Sequence, residues 1–300
     1  TNLKTLQGLV VPTEEHRFQF VESIVGCPYA GYNGKTVDTW QATFENYNPS
    51  ADWRKVPFVD MISDTYPAYR AIINGTEDVV AQALAKLFRI AIMQRVTDSY
   101  GPIPYTQVMA SKTESLEVAY DTQEEVYTAM FTELDDVIAS LQDNLSLPSD
   151  AFGRYDGVYS GNISQWLKFA NSLKLRMAMR LVYAAPATAE QRAKEAVDTT
   201  DGKLGVMTSN DDNAQLSGIN VNPFYKVAYE YNGGETRISA DLLNYMKSWN
   251  DPRISAYAKK STFTDAVNDY WGLRIGNEYP ITSGQAYSNL NIGQSDPLLW

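Results

Sequence analysis

The sequence predicts an all-α, mostly helical fold with long irregular loops and at most minor strand. Three observations carry this. Apolar residues recur at Val80, Leu84, Leu87, Phe88, Ala91, Ile92 and Val96, the 3.6-residue stripe of a helix packed on one side. Thr122 and Glu125 form a capping box ahead of a second such stripe, hydroxyl and carboxylate each satisfying an orphan backbone donor. Helix pairs then recur at roughly 40-residue spacing, as in stacked helical hairpins.

The elements follow in order. A helix is expected near 13–25, then a loop in which YAGYNGKTVDTW (29–40) lacks any helical period. Helices follow over 53–74 and 76–98. Gly101 and Pro102 end the second, glycine by freeing the backbone and proline by removing a donor, and Pro104 keeps the exit extended through a loop at 101–118. The capped fourth helix carries Val126, Met130, Leu134, Val137, Ile138, Leu141 and Leu145 and stops before Pro148. A loop at 148–161 leads into a fifth helix, Ile163 to Ala185, with Trp166, Ala170, Leu173, Met177 and Leu181 inward and Pro186 as its stop. Lys168, Lys174, Arg176 and Arg180 lie on it without one acid. Pairing with neighbouring acidic helices is the ordinary reading, an anion site the alternative.

Thr188 and Gln191 cap a short helix reaching Val197. Ser239 caps a last one, whose apolar face reads Leu242, Leu243, Met246 and Trp249 and which Asn250-Asp251-Pro252 ends. Long polar-aromatic loops fill 199–237 and 258–297, and connections of that length usually carry function. Spacing suggests helix pairs of the tetratricopeptide kind, although the Trp-Leu-Gly-Tyr-Ala-Phe-Pro signature is absent. Leu298-Leu299-Trp300 reads as an apolar stub of a chain that continues.

Composition narrows the chemistry. Three hundred residues, 44% hydrophobic, bury roughly three quarters of the unfolded surface. A net charge of −11 argues against nucleic acid and against docking on an anionic bilayer through a basic face. No run of 18 apolar residues marks a membrane span, and no signal peptide stands at the start. Cys27 is the only cysteine and His16 the only histidine, which removes disulfides, multi-histidine or Cys-rich metal sites and most histidine acid–base work. His16 reads as a surface residue rather than as part of a triad. Twenty tyrosines and six tryptophans exceed what a helical core requires. Tyrosine joins a flat apolar face to a hydroxyl, which suits a partly wet ligand.

Three blocks carry a resemblance: LFRIAIMQRVTDSYGPIPY (87–105), YDGVYSGNISQWLKFANSLKLRMAMRL (155–181), and SADLLNYMKSWNDPR (239–253) followed by YWGLRIG (270–276). In order and spacing the chain resembles the SusD/RagB family of outer-membrane nutrient-binding lipoproteins, particularly its second large branch, over nearly its whole length. The resemblance implies one SusD-like domain over 1–300, with tetratricopeptide-like helix pairs as scaffold and irregular loops as the ligand face. It implies a non-catalytic, lipid-anchored protein on the outer face of a Bacteroidota-type outer membrane, capping a TonB-dependent SusC-type transporter and usually capturing glycans. Cys27 has no apolar leader and does not match the lipidated cysteine. The expectation is that the lipid-bearing segment and the helices after Pro297 lie outside these residues.

A sugar site needs aromatic faces against pyranose C–H groups, with amides and carboxylates for the hydroxyls. The candidates are Tyr32, Asn33, Trp40 and Trp53 early in the chain, and Trp271, Tyr279 and Tyr287 late. Trp166 and Trp249 fall on apolar stripes and read as core. Trp53 begins a helix and reads as core as readily as ligand, and Trp271 in YWGLRIG is equally structural. Asn210-Asp211-Asp212-Asn213 clusters calcium-type oxygens but lacks the glycine and glutamate of a calcium loop, so a turn or cap is the plain reading; no metal or cofactor is expected. Two other functions stand beside glycan capture: a protein-binding helical-repeat scaffold, and a glycoside hydrolase, for which 36 acids make carboxylate pairs uninformative without geometry.

Overall fold

A computed structural model describes residues 2–109, 117–147, 153–263, 269–277 and 286–300. Its long helices are α1 (Asn2–Val10), α2 (Ala51–Ile73), α3 (Val79–Tyr100), α4 (Gln123–Asp143), α5 (Ile163–Arg180), α6 (Pro186–Val197) and α7 (Ala240–Ser248). Strands are minor: β1 (Asn33–Lys35) pairs antiparallel with β3 (Thr236–Ile238), and β2 (Gln215–Leu216) with β4 (Leu298–Leu299). The chain is mostly helical, as its periodicity predicts. Among the described residues no helix is long and apolar enough to cross a membrane. The residues divide into two compact units, Thr1–Val11, Met61–Gly218 and Leu298–Trp300 in the first, Pro12–Asp60 and Ile219–Pro297 in the second.

The first unit is built around α3, which packs on α1, α4 and α5. Asp78 caps it, accepting from Val80 and Ala81 N–H at 2.9 and 3.1 Å. Gly101 ends it at φ 76°. Because α3 is covered on several sides, even Arg89 is buried. Its guanidinium lies 4.5 Å from the rings of both Tyr69 and Tyr105 and pairs with Glu133. The capping box of α4 forms as expected, Thr122 N–H donating to Glu125 at 2.8 Å. In α5, Trp166 is fully buried and donates Nε1–H to Asp156 at 2.7 Å. The cations of α5 find acids: Lys168 with Asp212 at 2.8 Å, Lys174 with Asp135 and Glu195 at 2.7 and 2.6 Å, and Arg180 with Asp98 at 2.5 Å.

Four expectations change here. Helix α5 ends at Arg180 rather than Ala185, because the chain turns over 181–184. Pro186 does not merely stop it but occupies the first turn of α6, where its missing N–H costs nothing, so Thr188 and Gln191 make no cap. Helix α1, with Leu3, Leu6, Leu9 and Val10 inward, was not anticipated. The final tripeptide is no loose stub: Leu298 and Leu299 pair with β2, and the Trp300 ring lies 5.7–5.8 Å from Phe88, Trp166 and Phe169. Asn210–Asp212 is a 3-10 turn in which the Asp212 carboxylate accepts from Lys168 Nζ and the N–H groups of Thr208 and Ser209. The Lys168 hydrogen bond first, then the backbone donors, hold it at about 2.

In the second unit the helix expected near 13–25 is a turn, Glu15–Phe18, running into a π-helix, Gln19–Gly26, and a final turn at Cys27–Tyr29. Phe20, Ile24 and Phe44 form a small core there. The Glu45 carboxylate accepts from Lys35 N–H at 2.6 Å and Gly276 N–H at 3.2 Å, tying β1 to the YWGLRIG segment. The loops expected at 199–237 and 258–297 contain β2, β3 and a second π-turn, Lys226–Glu230. Strands of two or three residues are too short to show a period.

Candidate functional site

Helix α7 begins as its sequence predicts, the Ser239 hydroxyl accepting from Leu242 N–H at 3.0 Å. The same hydroxyl donates to the Gly31 carbonyl, and Ser239 N–H donates to the Tyr32 carbonyl at 2.8 Å. The cap therefore fixes the Tyr32–Asn33 corner against the first turn of α7. Residues 270–273 pass beside that turn, Ala240 N–H bonding the Leu273 carbonyl at 2.8 Å.

The other end of α7 overturns an expectation. Trp249 is not core: it is 80% exposed. It follows the last helical residue, its N–H still bonding the Tyr245 carbonyl at 3.1 Å. Tyr245, one turn earlier, is 71% exposed, so two large rings stand on one side of α7. Tyr257, closing the turn Ile254–Tyr257, and Tyr32 are each about half exposed.

These four rings border a groove of about 590 Å³ in the second unit. Its floor is apolar: Cys27, Phe224, Ile238, Leu242, Met246 and Leu290. Asn33, 2% exposed on β1, supplies an amide. The charged residues of the lining are Asp251 and Arg253, whose Nε and Nη2 donate to the carboxylate at 2.9 and 2.6 Å. That contact, with the Arg253 N–H, holds the Asp251 carboxyl at about 2. Burial pushes the Cys27 thiol up to about 12, so it is no nucleophile near neutral pH. Rings, one amide and one internally neutralised ion pair suit orientation of a ligand rather than bond-making.

The sequence-derived candidates separate into three places. Tyr32 and Asn33 come together in the groove. Trp40 and Trp53 meet edge to face at 5.2 Å on the Phe20–Ile24–Phe44 core, both partly buried. Trp271, 46% exposed, and Tyr287 flank Phe263 at 6.0 and 4.8 Å. Tyr279 lies outside the described residues. Tyr245, Trp249 and Tyr257 escaped sequence reasoning; two rings four apart just before an Asn-Asp-Pro stop were the available clue. A second concavity, about 500 Å³ in the first unit, is lined in part by Asp98, Tyr127 and Arg180. Its polar groups satisfy one another, Tyr127 Oη donating to Asp98 at 2.7 Å beside the Arg180 pair. Among the described residues no group of three or more His, Cys, Asp or Glu is placed to hold a metal ion.

Comparison with known proteins adds context. The family described as Susd and RagB outer membrane lipoprotein matches residues 1–300. A SusD homologue from Bacteroides thetaiotaomicron superposes with a TM-score of 0.91 at 41% identity, over 100% of this chain and 60% of that one. One from Bacteroides ovatus gives 0.89 at 37%, over 99% and 61%. A structure described as a chitin-binding SusD homologue from Flavobacterium johnsoniae gives 0.84 at 29%, over 99% and 61%. The chain thus spans about three fifths of the length of these relatives. No curated protein matches it.

Proposed function

The chain belongs to the SusD and RagB family of outer membrane lipoproteins, and from that premise we propose that it captures glycans without cleaving them and hands them to a TonB-dependent SusC-type transporter. The protein is held at the cell surface by an N-terminal lipid, its signal peptide removed. The α3–α4 and α5–α6 pairs serve as the tetratricopeptide-like scaffold. The observation that carries the reading is the exposure of Tyr245 and Trp249 side by side above an apolar groove. Exposing such rings is costly in water unless something covers them, and a pyranose C–H face is a matched cover. Tyr32 and Asn33 belong to this site. Trp271 and Tyr287, which flank Phe263, form an accessory aromatic contact, Tyr279 stays a candidate ligand residue on its sequence alone, and Trp40 and Trp53 chiefly hold the fold.

Two points favour capture over hydrolysis. Glycoside cleavage needs two carboxyl groups set across the bond, one able to hold a proton near neutral pH. Among the described residues Asp251 is the groove's one carboxylate, and Arg253 keeps it ionised. A relative described as chitin-binding fits carbohydrate as the ligand class. The test is affinity electrophoresis of the purified chain through gels cast with a panel of polysaccharides, with reducing ends assayed in parallel. Retardation without new reducing ends, abolished by Trp249→Ala and by Tyr245→Ala, is expected. Release of sugar, or retardation indifferent to both substitutions, would refute the reading.

A further inference from the structure

The groove's chemistry is unusual for a ligand made only of hydroxyls. Its base is formed by Phe224, Ile238, Leu242, Met246 and Leu290, none of which accepts or donates a hydrogen bond. A plain hexose seated there would lose water from hydroxyls and gain no partner for them. One polar group does reach this apolar base. Asn33 is 2% exposed, and its side-chain amide has no hydrogen-bonding partner among the described residues. Its position is fixed, because β1 pairs it with Ile238 and the neighbouring Tyr32 carbonyl is held by Ser239. An amide that is nearly buried, makes no hydrogen bond among the described residues and still touches the groove is open to a complementary group. An amide fits best, since asparagine can donate to a carbonyl and accept from an N–H at once.

The charges point the same way. Among the described residues Arg253 is the groove's one cation, and its guanidinium is already spent on Asp251. A carboxylated or sulfated sugar would have to displace that carboxylate, and no second cation of the lining would receive it.

We propose that the groove selects an uncharged glycan bearing N-acetyl groups, the acetamido methyl seated on the apolar base and the acetamido C=O and N–H paired with the Asn33 side chain. Tyr245 and Trp249 cover the sugar faces. This rests on the glycan-capture reading above and narrows it to a ligand class.

The decisive comparison is between chitopentaose and cellopentaose, which share a β-1,4 backbone and differ at C2 by acetamido against hydroxyl. Calorimetric titration of the full chain should show chitopentaose binding tighter by about tenfold or more, the discrimination that a missing polar partner and an unfilled apolar pocket produce. Asn33→Ala should erase most of that preference, and Trp249→Ala should weaken both ligands. Oligogalacturonate should not bind. Equal or tighter binding of cellopentaose would overturn the inference, as would chitopentaose affinity left unchanged by Trp249→Ala. Trp249-dependent retention on another polysaccharide, with no binding of chito-oligomers, would overturn the inference alone and leave glycan capture standing. Retention on no polysaccharide would overturn both.

Discussion

Trp249 shows that an apolar position at the very end of a helix can face solvent rather than core. The stripe Leu242, Leu243, Met246 extends arithmetically to position 249, and only the helix end at Ser248 breaks it. Sequence fixes the spacing but not the residue at which a helix lets go, so Trp249 reads as core while its ring is free. Since it is 80% exposed, Trp249→Ala should change stability by no more than about 0.5 kcal/mol in urea titration, while glycan affinity falls about tenfold. Glu235 is the opposite case, a buried acid that no pattern marks. It is 1% exposed, and Gln19 Nε2 donates to both its oxygens at 2.7 Å. Burial lifts its carboxyl to about 7, with the nearby Glu15 charge pushing the same way, against the bonds from Gln19 and Asn232. A folded-state value above the unfolded one stabilises the protein at low pH and loses that contribution as pH rises toward and through 7. Between about pH 5 and pH 8 the stability should fall by on the order of 2–3 kcal/mol, seen as a lower urea midpoint at the higher pH. Glu235→Gln should flatten that dependence.

Among the elements, those with long stripes and recognisable ends were legible. Thr122 and Ser239 cap helices through their side chains as the sequence marked them, because capping is local chemistry that needs no tertiary context; Asp78 and Asn162 do the same for α3 and α5 without having been singled out. The π-helix at Gln19–Gly26 was not legible because its i→i+5 bonds are local but leave no pattern that separates it from an α-helix, and the paired short strands because their hydrogen bonds depend on partners remote in sequence. Ser239 matters beyond its own helix, because its hydroxyl also reaches Gly31 and so sets the Tyr32 corner. Ser239→Ala should cost about 1–2 kcal/mol and, unlike an isolated cap, also weaken glycan binding. Gly272 in YWGLRIG has a physical reason too: a Cβ there would overlap the Ala240 backbone and the Ser239 carbonyl. Gly272→Ala should lower stability by about 3 kcal/mol in urea titration, with the groove's affinity falling alongside it as the first turn of α7 shifts.

At the scale of the whole molecule, neither unit is one continuous stretch: the first is assembled from three segments and the second from two. Composition could not reveal this, since the boundaries fall at Val11/Pro12, Asp60/Met61, Gly218/Ile219 and Pro297/Leu298 with no linker-like runs. Net charge, by contrast, acts everywhere at once. With −11 on the chain and a neutralised ion pair in the groove, affinity for an uncharged glycan should stay within about twofold between low and high salt, whereas binding of a polyanion would be both weak and salt-dependent. Calorimetry at two ionic strengths checks this. The six tryptophans are divided in a way that serves the experimenter. Trp166 and Trp300 sit 5.8 Å apart, inclined at 45° within the first unit, close enough for their transition dipoles to couple and give a strong near-ultraviolet circular dichroism band. Trp249, open to iodide, should lose its quenching when sugar arrives. One cuvette can therefore report integrity and occupancy through separate optical channels.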